Sequence, residues 1–326
     1  MNRVEKKEDI LRGREIELSY IRKVGNYESN EVENELVFFL PVGCFWARTL
    51  GGCYHCGFQD VINEITRKYC CNLIEIVKVE YKKYLNINIK RVFFYVGGSF
   101  FEIKDEVQDE ILSFINTQTM IRDIYIESRP EFITKENIQR LKFLLQAKNL
   151  IVAIGVETYN EKVRNEVLSK GISNNSFELA MHILQSENIK ALVYIFIKPP
   201  IKNITDKKAY DETLKSMEFV IEKGASYIEL KSGCIMYNTK VYELYKVGRY
   251  TPLNIWTVNK LLIEANERYK NIPIRLGVFD EIFSSIDVPK GCILCDEFLK
   301  EKLQLYRETM DSEVLIKHTT CYCSII

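Results

Sequence analysis

Six short, almost wholly apolar runs punctuate the chain, at 35–42 (ELVFFLPV), 91–96 (RVFFYV), 123–127 (DIYIE), 150–156 (LIVAIGV), 191–197 (ALVYIFI) and 226–230 (SYIEL). Runs of this length without strict apolar–polar alternation predict parallel strands covered on both faces. Between them the apolar positions return every three or four residues, at 106–115, 136–145, 176–184 and 208–221, the spacing of amphipathic helices. The alternation predicts a parallel sheet with crossover helices. Six strand–helix units suit an α/β partial (β/α)6 TIM-type barrel better than an eightfold one. A seventh run at 73–79 (LIEIVKV) reads as either a further strand or an insertion. Residues 1–34 are charged and weakly periodic, and are expected to form a helical lead-in. The barrel is expected over 35–272. A C-terminal extension is expected over 273–326, with a strand at 274–278, a loop, and a helix near 296–310.

The whole chain has 326 residues, 47% of them hydrophobic, and 45 Lys+Arg against 45 Asp+Glu. These values exclude a disordered or fibrous chain and supply a sizeable core. The longest uncharged run, between Glu35 and Arg48, is 12 residues, too short to span a bilayer. No basic segment followed by an apolar one opens the sequence. The expectation is therefore a cytoplasmic protein with no membrane association. A net charge of zero argues against holding nucleic acid by bulk charge.

Ten cysteines change the picture more than the charge does. Cys44, Cys53 and Cys56 share one loop, GCFWARTLGGCYHCG, directly after the first expected strand. Three thiols are poor for a closed structural zinc site, which takes four ligands. They suit a cubane iron–sulfur cluster with one iron left open, and Gly51 and Gly52 let the backbone turn around it. A zinc site completed by His55 or a distant cysteine, or three unliganded thiols, are the alternatives. Further candidates stand at the ends of successive strands, where ligands gather in such folds: Gly97, Gly98 and Ser99, then Glu127 and Arg129, then Glu157, then Lys198. Each charge has a plainer reading as a solvated strand end or a structural ion pair. Near the C-terminus, Cys292 and Cys295 (CxxC) with Cys321 and Cys323 (CxC) suit a structural Zn2+ or an auxiliary Fe–S cluster, with zinc favoured because four thiolates close the site. His318 is a further candidate there. Cys70, Cys71 and Cys234 read as buried small hydrophobes, and His182 as a structural residue on an apolar helix face.

The three-cysteine loop at the end of the first barrel strand resembles that of the radical S-adenosylmethionine (radical SAM) superfamily. The spacing of eight residues and then two points to a subset of it. The loop GCFWARTLGGCYHCGF, with GGSFF, ESRPEFIT, GVET, YIFIKPP, GRYTP and the cysteine-bearing tail, is similar to the elongator-type branch. Within that branch it is most similar to the radical SAM proteins of archaeosine biosynthesis. The resemblance implies a 4Fe-4S cluster on Cys44, Cys53 and Cys56. It also implies S-adenosylmethionine held by residues drawn from Gly97, Gly98, Ser99, Glu127, Arg129, Glu157 and Lys198. The implied reaction is reductive cleavage of S-adenosylmethionine to a 5′-deoxyadenosyl radical, which takes hydrogen from a lysine-type methylene. A C–N bond then breaks to leave archaeosine in tRNA. An unactivated methylene has no acidity for a base to exploit, which is why such a cofactor is required. The implied partners are tRNA, reached through a transglycosylase-like subunit, and an electron donor such as ferredoxin or flavodoxin. Radical chemistry on a small metabolite or peptide, and a non-enzymatic zinc-binding module, are the competing readings.

Overall fold

Eight strands form one sheet in sequential order: β1 (Ser19–Gly25), β2 (Val32–Phe39), β3 (Ile89–Tyr95), β4 (Asp123–Glu127), β5 (Asn149–Glu157), β6 (Lys190–Phe196), β7 (Tyr227–Lys231) and β8 (Ile274–Leu276). β1 runs antiparallel to β2, and every later pairing is parallel. The computed structural model describes residues 17–26, 29, 31–68, 72–277, 285–318 and 321–324. Ten helices accompany the sheet among these residues: α1 (Phe45–Leu50), α2 (Phe58–Lys68), α3 (Leu73–Lys82), α4 (Asp105–Asn116), α5 (Lys135–Leu145), α6 (Asn174–Ser186), α7 (Asp206–Glu222), α8 (Lys240–Lys246), α9 (Ile255–Arg268) and α10 (Asp296–Thr309).

The near-continuous apolar runs have a direct cause. Along each strand alternate side chains enter two different cores. Leu36, Phe38, Val92, Phe94, Ile124, Ile126, Val152, Ile154, Val193 and Ile195 pack outward into the cluster shared with the helices. Val37, Phe39, Phe93, Tyr95, Tyr125, Ile151, Ala153, Leu192 and Tyr194 form a second cluster on the opposite face. That inner face is concave: Arg275 on β8 reaches Glu35 on β2 at 3.2 Å, although these strands stand far apart in the sheet order. Arg22 on β1 also pairs with Glu35, at 2.5 Å. The sheet is therefore curled into the partial barrel expected from the sequence. α10 packs against both β1 and β8 and covers the seam between the first and last strands. Its fully buried Tyr306 donates to the carbonyl of Ile274 at 2.7 Å.

Several elements differ from expectation. Within the expected helical lead-in, residues 19–25 form a strand, because β2 offers an open edge and Arg22 finds a carboxylate inside the barrel; residues 1–16 lie outside the described set. The ambiguous run beginning at Leu73 is a helix. Asn72 caps it by accepting from the Glu75 N–H, and Ile74 and Val77 turn inward at helical spacing. The strand at 274–276 continues the sheet beside β7. His182 lies on the exposed face of α6, opposite Phe177, Ala180, Met181 and Leu184, and so is not packed on the apolar face.

Candidate active site at the mouth of the barrel

The cysteine loop is pinned from two sides. On one side is the turn after β3. Glu102 accepts from the Ser99 N–H at 3.0 Å, from the Phe45 N–H at 2.6 Å and from Arg48 Nη2 at 2.9 Å, so one carboxylate joins the Gly97–Gly98 turn to the start of α1. Gly98 has no room for a side chain: a Cβ there would sit 2.4 Å from the Gly43 carbonyl oxygen and 2.8 Å from Cys44 Cα. On the other side is the segment after β5. Trp46 Nε1 donates to the Ser169 carbonyl at 2.7 Å, and the Tyr54 N–H donates to Leu168 at 2.9 Å. Arg129 lies 4.8 Å from the Trp46 ring centre and donates to the Lys170 carbonyl at 2.9 Å.

The result is a cavity of about 200 Å³ whose wall includes Cys44, Cys53, Cys56, Gly97, Gly98, Glu127, Arg129 and Glu157. Glu157 is the most constrained of these. It is buried at φ +68°, a left-handed conformation unusual for a side chain of this size. The β5–β6 register shifts between Gly155 and Glu157, and such a bulge re-aims a side chain. Lys170 Nζ meets the carboxylate at 2.5 Å. Burial alone would raise the carboxyl's pKa, but Lys170 and Lys231 hold it below the ordinary range. Glu127 accepts from Tyr194 at 3.2 Å. Lys231 pairs with buried Glu229 at 2.7 Å and lies 4.3 Å from the Tyr194 ring centre.

The chemistry of the donor set fits a cationic cluster. Burial pushes the Cys56 thiol up to about 12, with Cys53 adding to the effect, and burial raises Cys53 likewise. A bound cation would reverse this, since a thiol that coordinates a metal is deprotonated outright. His55, between two of the cysteines, is drawn down to about 4 by burial, so it is neutral, and its Nδ1 is buried with no hydrogen-bond partner. A polar atom left unsatisfied in this position is suited to a bound group.

Two of the sequence candidates stand outside the cavity wall. Ser99 is fully buried, and its Oγ accepts from the Arg129 N–H at 2.9 Å; it sets the backbone rather than facing the cavity. Lys198 is turned away, pairing with Asp206 at 2.7 Å. Lys198→Met is expected to lower Tm by a few degrees, since it removes a charged hydrogen bond to Asp206 worth about 1.5–3 kcal/mol. Cluster iron should be unchanged. Iron and melting measured on one preparation check both. Cys234, expected as a core residue, lines the cavity and is only half-buried. Cys70 and Cys71 lie outside the described residues. Lys170, Lys231, Tyr194, His55 and Glu102 were not singled out from the strand-end pattern. Lys231 stands one residue past an expected strand end, the signal that found Glu127, whereas Lys170 sits in a loop with no periodicity.

The four tail thiols converge. Cys292, Cys295, Cys321 and Cys323 have their sulfurs within 4.8 Å of one another, and His318 is exposed and outside the group.

A three-cysteine loop follows the first parallel strand of a curled sheet and opens on a cavity at the strands' C-terminal ends, the architecture of a partial (β/α) barrel. The sequence resembles the radical SAM proteins of archaeosine biosynthesis. It is 25% identical over 285 residues to archaeosine synthase subunit beta of Methanosarcina acetivorans, covering 84% of this chain and 78% of that one. It is 26% identical over 295 residues to an uncharacterized protein of Methanocaldococcus jannaschii, covering 87% and 78%. No family model matches the chain. Among solved structures, Elp3 of Methanocaldococcus infernus aligns with a TM-score of 0.53 at 17% identity, over 73% of this chain and 59% of that one. Methylornithine synthase aligns at 0.55 and 13%, over 76% and 66%. SuiB of Streptococcus suis bound to S-adenosylmethionine aligns at 0.52 and 12%, over 75% and 50%. These likenesses establish the fold. Among the described residues no helix is long and apolar enough to cross a membrane.

Proposed function

We propose that this protein is a radical SAM enzyme of tRNA modification. Cys44, Cys53 and Cys56 hold a 4Fe-4S cluster, and the residues around Gly97, Gly98, Glu127 and Glu157 hold S-adenosylmethionine. The observation that carries this is the convergence of three half-buried loop thiols and a Glu157–Lys170 pair on one cavity. When bound and reduced, the cluster supplies the electron that cleaves S-adenosylmethionine and so provides a hydrogen-abstracting radical.

The chain's own residues do the rest. Phe39, Phe58, Tyr95, Phe196 and Met236 line the cavity and keep water from a reactive species. Acidic Glu127 and Glu157 and basic Arg129, Lys170 and Lys231 share the same wall, a distribution matched to a group with both an ammonium and a carboxylate. The methionine end of S-adenosylmethionine has both. The similarity to archaeosine synthase subunit beta favours a lysine-bearing deazaguanine in tRNA as substrate and scission of its C–N bond as the reaction. A transglycosylase-like subunit would present the tRNA to a chain with no net charge of its own, and ferredoxin or flavodoxin would supply electrons.

The test is 5′-deoxyadenosine formation by anaerobically reconstituted, reduced protein, with and without tRNA carrying the lysine-modified base. Strong stimulation by that tRNA, with archaeosine as product and no turnover in Cys53→Ala, is expected. Turnover indifferent to the tRNA would overturn the substrate and turn attention to metabolites or peptides. A protein with no iron or labile sulfide would overturn the radical chemistry altogether.

A further inference from the structure

We propose that Cys292, Cys295, Cys321 and Cys323 bind a single zinc ion in a closed tetrahedral site that fastens the seam-covering helix to the barrel, apart from the cluster at the mouth. The sulfur spacing decides the nuclearity. Four of the sulfur pairs lie at 3.6 Å (Cys292–Cys295), 3.5 Å (Cys292–Cys321), 3.2 Å (Cys295–Cys323) and 3.2 Å (Cys321–Cys323). All six are within 4.8 Å. A tetrahedral ion with bonds of about 2.3 Å to sulfur sets its ligands about 3.8 Å apart, so each thiol needs to shift by only a fraction of an ångström. An iron–sulfur cluster carries its thiolates on separate irons and spreads them much wider. Four thiolates also leave no open position for a substrate.

The surroundings are built for thiolate charge. Cys292 and Cys295 stand at the N-terminal end of α10, a helix of 14 residues, where the dipole favours negative groups. Trp256 Nε1 donates to Cys295 Sγ at 3.2 Å. Gly291 is required beneath the site, since a Cβ there would meet Cys295 Sγ at 2.6 Å. The CxC turn is held from α9: Asn254 Nδ2 donates to the Cys323 carbonyl and Lys260 Nζ to the Ser324 carbonyl, each at 2.8 Å. Asn254 donates its own N–H to Asp206 at 2.9 Å, and Asp206 is the partner of Lys198 at the end of β6. The ion thus ties the tail to α10, and through Asn254 and Asp206 to the barrel rim.

Metal analysis on the full chain with Cys44, Cys53 and Cys56 all changed to alanine isolates this site. One zinc per chain, with no acid-labile sulfide, is the expected result. Labile sulfide with several irons would overturn the proposal in favour of a cluster; one iron without sulfide would overturn zinc, and no metal would overturn the site. Cys321→Ala in the otherwise natural chain should lose the zinc and lower Tm, while iron at the mouth stays. Should that variant fail to fold, Trp256→Phe keeps all four ligands and removes only the N–H donor. It is expected to release zinc to a competing chelator about 10–100-fold more readily, and unchanged release would refute the outer hydrogen bond's role.

Discussion

Gly98→Ala is expected to strip most of the iron from the barrel mouth although it alters no cysteine. The added methyl would lie 2.4 Å from the Gly43 carbonyl oxygen, 2.8 Å from Cys44 Cα and 2.8 Å from Glu102 Oε1. Two of these neighbours are backbone atoms, so no rotamer change relieves the clash, and the loop carrying the first cysteine has to move. Overpacking of this kind costs about 1–3 kcal/mol. Taken out of the geometry of Cys44, that corresponds to a loss of cluster occupancy of roughly fivefold or more. Gly51→Ala is the control. Its Cβ would meet nothing within 4 Å, and its φ of +82° costs about 1–2 kcal/mol of backbone strain without displacing a ligand. Iron and labile sulfide counts after identical reconstitution separate the two. Full iron in Gly98→Ala would show that the turn does not set the position of Cys44.

That glycine illustrates what was legible in the sequence and what was not. Gly97-Gly98 drew notice as a place where a backbone approaches a ligand; the structure adds that at Gly98 the close neighbour is the cysteine loop itself. The core strands β2 to β7 were legible because both faces are buried, so their apolar runs needed no partner to be recognised. β1 was not, because SYIRKVG places charge at the position that points inward, and its meaning depends on Glu35 and β2. The run beginning at Leu73 was ambiguous because its β-branched residues also suit a strand, a propensity that tertiary packing overrides. Cys44, Cys53 and Cys56 and the tail thiols were legible through spacing alone. The Glu157–Lys170 pair was half legible. Glu157 ends a strand, but the left-handed twist that buries it and the lysine that neutralises it arise only when the segment after β5 folds back across the cysteine loop. Charges inside the barrel were invisible for a related reason: Glu35 and Arg275 are brought together only by curling of the whole sheet.

Arg275→Met is expected to cost stability near neutral pH and to flatten the acid limb of stability. Arg275 lies within the barrel with its guanidinium 3.2 Å from Glu35, 3.6 Å from Glu229 and 5.6 Å from the Tyr125 ring centre. Burial opposes the charge on both carboxylates. They stay ionised because cations face them: Arg22 and Arg275 for Glu35, and Lys231, Arg275 and Arg22 for Glu229. Removing Arg275 leaves Glu35 to Arg22 and Glu229 to Lys231, so the cost falls below the roughly 3–5 kcal/mol of an unpaired buried charge, or within roughly 10 °C in Tm for a chain of this size. Glu229 is held down to about 2 from an ordinary 4.5. Its contribution is therefore complete above the unfolded-state value and is lost as the pH falls from there through the folded value. Without Arg275 the folded-state pKa of Glu229 rises toward the unfolded one. The variant then has less carboxylate-linked stability to lose in acid, and its deficit against the natural chain is widest near neutrality and narrows as the pH falls toward 2. Thermal unfolding followed from pH 7 to pH 3 checks both features. A deficit that does not vary with pH would mean that Arg275 acts by packing over Tyr125 rather than by holding the two carboxylates charged.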